Sequence, residues 1–147
     1  MRSLKSFALG LALHGPLCVL AAASPPAANE RALREECSAF SQAGMRDCLA
    51  HQVESSQRAL KKAEKSAAAT LSRWDEDSRY RQQAQARLAA SQKAFVQYRD
   101  AQCRFAYSLG GGAIGNALEM RRLACLAELN GGQASRLDDA LSDLPLK

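Results

Sequence analysis

The chain has 147 residues, of which 20 are Lys or Arg and 15 are Asp or Glu, and its formal net charge is +5. This length is expected to form one domain rather than two. The charges are interspersed without a block of Lys and Arg, so the composition does not favour a nucleic-acid-binding protein. Alanine is abundant and strand-type alternation is absent, which predicts an all-α protein.

Residues 1–23 have the order of a secretory signal peptide. Arg2 and Lys5 precede an apolar run, and three consecutive alanines precede Ser24. Lipidation at Cys18 is disfavoured because Leu17 stands where a small residue is needed. The run is also shorter than the roughly 20 residues of a membrane span. We therefore expect a periplasmic or secreted mature chain that begins near Ser24, has no membrane span and keeps 18 basic residues against 15 acidic ones, or +3.

Loss of the leader removes Cys18 and leaves four cysteines, Cys37, Cys48, Cys103 and Cys125. An even count in an exported chain predicts two disulfides. Short loops close at lower entropic cost, which favours neighbours in sequence. In a helical hairpin that turns near residue 76, however, Cys48 and Cys103 lie at the same level, so the pairing stays open. The spacings contain no close C-x-x-C pair, and no metal or cofactor is predicted.

Residues 24–30 are predicted to be a disordered leader to a single helical domain at 31–144. A short helix is expected at 31–40, with a break near 41–44. From Met45 the apolar positions follow a helical period as far as Trp74. The segment 74–78 then interrupts the pattern, and Asp75 or Ser78 can cap a second helix. We therefore predict a long antiparallel helical hairpin with short flanking helices, because one unbroken helix over 45–109 would have nothing to bury its apolar face against.

The second arm of the hairpin carries most of the aromatic residues. Its large side chains recur at three- and four-residue steps and are predicted to form a buried face, consisting of Leu88, Phe95, Tyr98, Gln102, Phe105 and Leu109. Three glycines, Gly110, Gly111 and Gly112, then stop the helix. Glycine permits close approach of another backbone, so this loop is a possible partner contact.

A further periodic run follows the glycine loop and carries Cys125. It is predicted to continue to about Asn130, where Gly131 and Gly132 break it. Leucines at 137, 141 and 144 mark a last short helix, which Pro145 ends.

Arg99 and Asp100 are the candidate polar site, since they are charged residues beside the aromatic face. Catalysis would need a nucleophile or a second positioned carboxylate, and the sequence contains no such motif. The two are therefore predicted to be a structural polar pair. His51, the sole histidine after residue 23, is predicted to be a surface or packing residue. No catalytic residue is assigned, and an enzyme is the disfavoured hypothesis.

These residues resemble the signature of the LprI-type lysozyme inhibitor family, which are small secreted bacterial proteins. The positions similar to the family pattern are Cys37, Ser41, Gln42, Met45 and Cys48, then Ser91, Gln92, Ala94, Phe95, Tyr98, Arg99, Asp100 and Cys103, then Gly111, Gly112, Cys125, Leu129 and Leu137. Phe95 stands for the usual Trp and Asn130 for the usual Thr. The resemblance spans about residues 37–141 and implies two local disulfides, Cys37 with Cys48 and Cys103 with Cys125.

The resemblance implies a periplasmic or secreted protein that inhibits a lysozyme by binding it. The alternative is a non-catalytic module that binds another envelope protein or peptidoglycan. A mature charge of +3 offers no long-range attraction to the basic lysozymes of animals. The acidic run Asp75, Glu76 and Asp77 is therefore a second candidate contact.

Overall fold

A computed structural model describes residues 28–113 and 115–147, and within these ranges the chain is all-α. Its elements are α1 (Glu30–Glu36), a 3-10 turn (Cys37–Ala39), α2 (Gln42–Arg73), α3 (Ser78–Ser108) and α4 (Asn116–Leu141). The predicted fold class is confirmed, including the two disulfides that brace it. The predicted signal peptide at 1–23 lies outside the described residues, as do residues 24–27 of the predicted leader. Glu30, assigned to that leader, instead begins α1.

The helices α2 and α3 form the predicted hairpin, and the chain reverses at residues 74–77. Asp77 caps α3, and not the predicted Asp75 or Ser78, because its carboxylate accepts a hydrogen bond from the amide of Arg79 at 2.7 Å. Ser78 is instead the first residue of α3. The C-terminal tail lies against this turn, where the amide of Asp75 donates to the carbonyl of Pro145 at 2.8 Å. The acidic turn therefore closes one end of the bundle.

The third long helix, α4, lies along both arms of the hairpin. Its first half packs against the start of α2 and its second half against the middle of α2, so α4 runs parallel to α2 and antiparallel to α3. The helix break predicted at Gly131 and Gly132 is wrong, because α4 continues unbroken to Leu141. Each glycine costs a helix about 1 kcal/mol. Burial of Leu137 alone stabilises by about 2 kcal/mol, so packing on both sides outweighs that cost.

Among the residues that the structure describes, the core consists of three clusters along the bundle. The cluster at the α1 end contains Leu33, Cys37, Leu49, Met120, Leu123, Ala124 and Ala127. The cluster toward the hairpin turn contains Leu60, Ala63, Ala67, Phe95, Ala134 and Leu137. A third, smaller cluster of Cys103, Ala106 and Cys125 joins α3 to α4. The alanines of the first two clusters let α2 and α4 approach closely.

The predicted buried face of α3 is wrong for three of its members. Phe95 is buried, but Tyr98 is 55% exposed, Phe105 56% and Leu109 59%. The side chains that face α4 near these positions are Cys103 and Ala106. Residues two apart on an α-helix are rotated by about 200°. The disulfide turns Cys103 toward α4, and the same rotation turns Phe105 toward solvent.

Candidate functional site

Two disulfides lie at the end of the bundle where α3 leads into α4. Cys37 is bonded to Cys48 with a Cα–Cα distance of 5.8 Å, and Cys103 to Cys125 with 5.5 Å. The alternative pair of Cys48 with Cys103 is not formed. The chain doubles back between Cys37 and Cys48 at Ser41, whose hydroxyl accepts the amide of Gly44 and caps α2. This cap places Cys48 within bonding distance of the 3-10 turn.

Arg99 is the centre of a polar network that joins three helices. It donates to Asp100 at 3.0 and 2.9 Å and to the side-chain oxygen of Asn130 at 3.1 Å. The amide nitrogen of Asn130 donates in turn to the hydroxyl of Ser56 at 3.5 Å. Asn130 is 2% exposed, and it is the one buried polar residue in the part of the chain that the structure describes. The network therefore satisfies an amide that would be costly to bury unpaired.

An arginine-lined cleft of about 340 Å³ opens beside this network. Its walls come from α3 and α4 and consist of Arg99, Asp100, Cys103, Arg104, Arg122 and Leu126. Arg122 donates to Glu119 at 2.9 and 2.6 Å, and this hydrogen bond lowers the pKa of Glu119 and raises that of Arg122. Arg104 forms no ion pair with any described residue. The cleft therefore presents positive charge to solvent, which suits a carboxylate.

Sequence reasoning assigned Arg99 and Asp100 to the site and missed three neighbours, Asn130, Arg104 and Arg122. In the sequence, Asn130 is noticeable as a departure from the family pattern. Its burial beside Arg99 is evident only from the structure. Arg122 lies three residues after Glu119, a helical spacing that indicates an ion pair. No local pattern indicates that α4 brings Arg122 beside Arg104.

The glycine loop between α3 and α4 is packed at its first glycine and open at the next two. A Cβ on Gly110 would overlap the side chain of Leu118. Gly111 has φ +55, a left-handed conformation that favours glycine, and a Cβ there would meet nothing within 4 Å. A Cβ on Gly112 would also meet nothing within 4 Å, and its φ is not positive. Gly112 is thus the position at which a larger side chain changes the loop surface with least strain.

The remaining sequence candidates lie apart from the cleft. The His51 side chain is 81% exposed, and its nearest acidic partner is Glu54 at 3.8 Å. Within residues 28–113 and 115–147, no group of three His, Cys, Asp or Glu side chains is arranged to hold a metal ion. No helix in these ranges has both the length and the apolar character needed to cross a membrane.

These features define a small helical protein, braced by disulfides, with an arginine-lined cleft beside a half-exposed aromatic helix. A family model described as "Lysozyme inhibitor LprI" matches residues 34–137. The match covers more than half of the chain, so the chain belongs to the LprI lysozyme inhibitor family, and the resemblance read from the sequence is confirmed. Searches of curated proteins and of solved structures give no significant match.

Proposed function

We propose that the mature protein is an exported lysozyme inhibitor that acts by binding a muramidase. The observation that carries this proposal is the family match over residues 34–137, which spans all four bonded cysteines. Two disulfides suit the oxidising environment of the periplasm or the exterior. A braced helical scaffold presents an ordered surface, so it loses little conformational entropy on association.

The same proposal holds that the protein binds without turnover. Apart from Arg104, the charged residues at the cleft are engaged with neighbouring side chains: Arg99 with Asp100 and Asn130, and Arg122 with Glu119. Both Arg99 bonds end on one carboxylate oxygen of Asp100, and the described lining of the cleft holds no Ser, Thr, His or Lys side chain beside this pair. In this proposal the network sets the spacing of α3 and α4, and the surface around it makes the contact.

The glycine loop is one proposed contact with the muramidase. Gly111 and Gly112 are exposed and have open space where a side chain would stand, so a partner backbone can approach them closely. The acidic turn is less suited to contact, because Asp77 is engaged in capping α3 and Asp75 pairs with Lys147 at 3.5 Å.

The proposal is tested by residual muramidase activity on cell walls, using lysozymes of several types with equimolar mature protein at low salt. Inhibition of at least one type, with a complex detected by calorimetry, is the expected result. Gly112→Trp should then weaken inhibition while the helical circular dichroism stays unchanged. If no lysozyme is slowed and no complex forms, the proposal is wrong, and retention of the protein on purified peptidoglycan or on a periplasmic protein would support the envelope module.

Export is tested separately by N-terminal sequencing of protein recovered from the periplasm or the medium. The proposal expects a mature chain that begins near Ser24. An intact Met1 or an acylated Cys18 would contradict it.

A further inference from the structure

The C-terminal half of α3 has an exposed face that no described part of the chain covers. An apolar row runs along it at steps of three, four and four residues: Tyr98, Ala101, Phe105 and Leu109, all exposed. The row is about 16 Å long. Arg104 lies beside the row, and Lys93 lies three helical turns earlier on the same side of α3, just beyond the N-terminal end of the row; both are exposed. We call these six residues the α3 outer face.

The excess positive charge of the protein is concentrated on this helix. Between Ser78 and Ser108, α3 carries six Lys or Arg residues and one acidic residue, Asp100; three of the basic residues, Lys93, Arg99 and Arg104, lie in the half that bears the outer face. In contrast, α2 carries six basic residues and three acidic ones, and α4 carries three and four. Because Arg104 also borders the arginine-lined cleft, the basic edge of the outer face continues into that cleft. The chemistry of this surface therefore calls for an anionic partner with apolar contacts.

We infer that the α3 outer face enters the substrate cleft of the inhibited muramidase, an inference that rests on the function proposed above. Glycosidases carry a pair of carboxyl groups that flank the scissile bond inside a groove. A single helix is convex and about 10 Å across, which suits insertion into a groove. Tyr98 and Phe105, two turns apart, lie against the surfaces that hold sugar rings, while Arg104 faces the carboxylates.

Charge also favours a muramidase over a second copy of the chain as the partner of the outer face. A symmetric dimer through the outer face would bring two basic helices together, and like charges across an interface oppose association. A muramidase cleft instead offers the opposite charge. The exposed aromatic residues provide the large, rigid anchors that dominate the binding energy of interfaces.

The test measures the inhibition constant of the full mature protein against a lysozyme that the unaltered protein inhibits. Tyr98→Ala and Phe105→Ala should each raise the constant by about 10- to 30-fold, as expected for central aromatic anchors. Arg104→Glu should raise it at low salt and reduce its dependence on salt. Tyr80→Ala is the matched control, because Tyr80 is an exposed aromatic residue at the opposite end of α3. It should leave the constant unchanged within about twofold.

The outcomes separate the two proposals. If the unaltered protein inhibits a lysozyme and the variants at Tyr98, Phe105 and Arg104 remain fully potent, the outer face is not the contact, while the proposed function stands. If no lysozyme is inhibited, both proposals fall. A dimer that Phe105→Ala dissociates, or cosedimentation with anionic phosphatidylglycerol vesicles that the same variant abolishes, would also overturn the inference. Circular dichroism and a non-reducing gel check that each variant folds with its disulfides intact.

Discussion

Replacement of Gly131 and Gly132 by alanine is predicted to stabilise the protein. Both glycines lie inside α4, neither has a positive φ, and a Cβ at either position would meet nothing within 4 Å. The change therefore adds no clash and removes the entropic cost of fixing glycine in a helix. Each substitution should raise the free energy of unfolding by about 0.5 to 1 kcal/mol, so the pair should add about 1 to 2 kcal/mol.

A matched control tests why these substitutions are expected to raise the free energy of unfolding. Gly111→Ala also places a Cβ in open space, but the backbone there has φ +55. Since alanine is disfavoured in that conformation, Gly111→Ala should lower the free energy of unfolding by about 1 kcal/mol.

The assay is urea and thermal denaturation of the disulfide-intact protein, followed by circular dichroism. For a domain of this size, 1 kcal/mol corresponds to a shift in Tm of about 4 °C. The reasoning fails if the α4 variants lose stability, or if Gly111→Ala stabilises as much as they do. The first result would mean that the α4 glycines are needed for close packing of α4 against its neighbours. The second would mean that the backbone conformation of a glycine does not decide whether alanine stabilises or destabilises the protein.

Three further predictions concern the braces of the fold. Replacing both Cys103 and Cys125 by alanine should lower the free energy of unfolding by about 3 kcal/mol, from the entropy of a loop of 22 residues; a loss below about 1 kcal/mol in urea denaturation would contradict this. Asn130→Ala should lower the free energy of unfolding by about 1 to 3 kcal/mol, because it removes a hydrogen-bond partner of the Arg99 guanidinium. Strictly additive effects with Arg99→Ala in a double-mutant cycle would show that this contact contributes nothing. The hydrogen bond from Arg122 lowers the pKa of Glu119 from its ordinary 4.5, so their ion pair stabilises the fold above pH 4.5 and this contribution is lost as the pH falls below that value. Glu119→Gln should therefore reduce the difference in unfolding free energy between pH 7 and pH 3 by about 0.5 kcal/mol, since the pair is partly exposed; an unchanged difference would refute the assignment.

The parts of the fold that depend on local chemistry could be predicted from the sequence. The apolar period of α2 runs to Trp74 and the segment 74–78 interrupts it, so the hairpin and its turn follow, although the cap is Asp77 and not the predicted Asp75 or Ser78. The cap at Ser41 explains the break before α2 in the same way. In each case the signal lies within about four residues of the feature that it specifies.

The rotation of α3 depends on a contact far along the chain. Phe95 belongs both to the predicted row of aromatic residues and to the face that is buried. The hydrophobic period alone is therefore compatible with two rotations of α3 about its own axis. The bond from Cys103 to Cys125 selects the rotation that exposes Tyr98 and Phe105. The same reasoning explains the continuity of α4 at its two glycines, where burial of Ala134 and Leu137 outweighs the local preference to break.

The arginine-lined cleft could not be predicted from the sequence. Its walls come from two helices, and Arg104 and Arg122 are neighbours because α3 and α4 are antiparallel and joined by a disulfide. The role of Asn130 could not be predicted either, since it depends on Arg99, which lies 31 residues earlier.

The placement of the two disulfides makes one end of the molecule stiffer than the other. Both bridges lie at the end where α3 leads into α4, whereas the hairpin-turn end is held by apolar packing and by backbone hydrogen bonds from the C-terminal tail. Local opening requires least free energy where no covalent link must be kept. Amide hydrogen exchange and proteolytic nicking should therefore begin around residues 74–77 and advance toward the bridged end. The segment that contains Leu109 and Gly112 lies at the bridged end, so it should stay ordered while the hairpin-turn end opens.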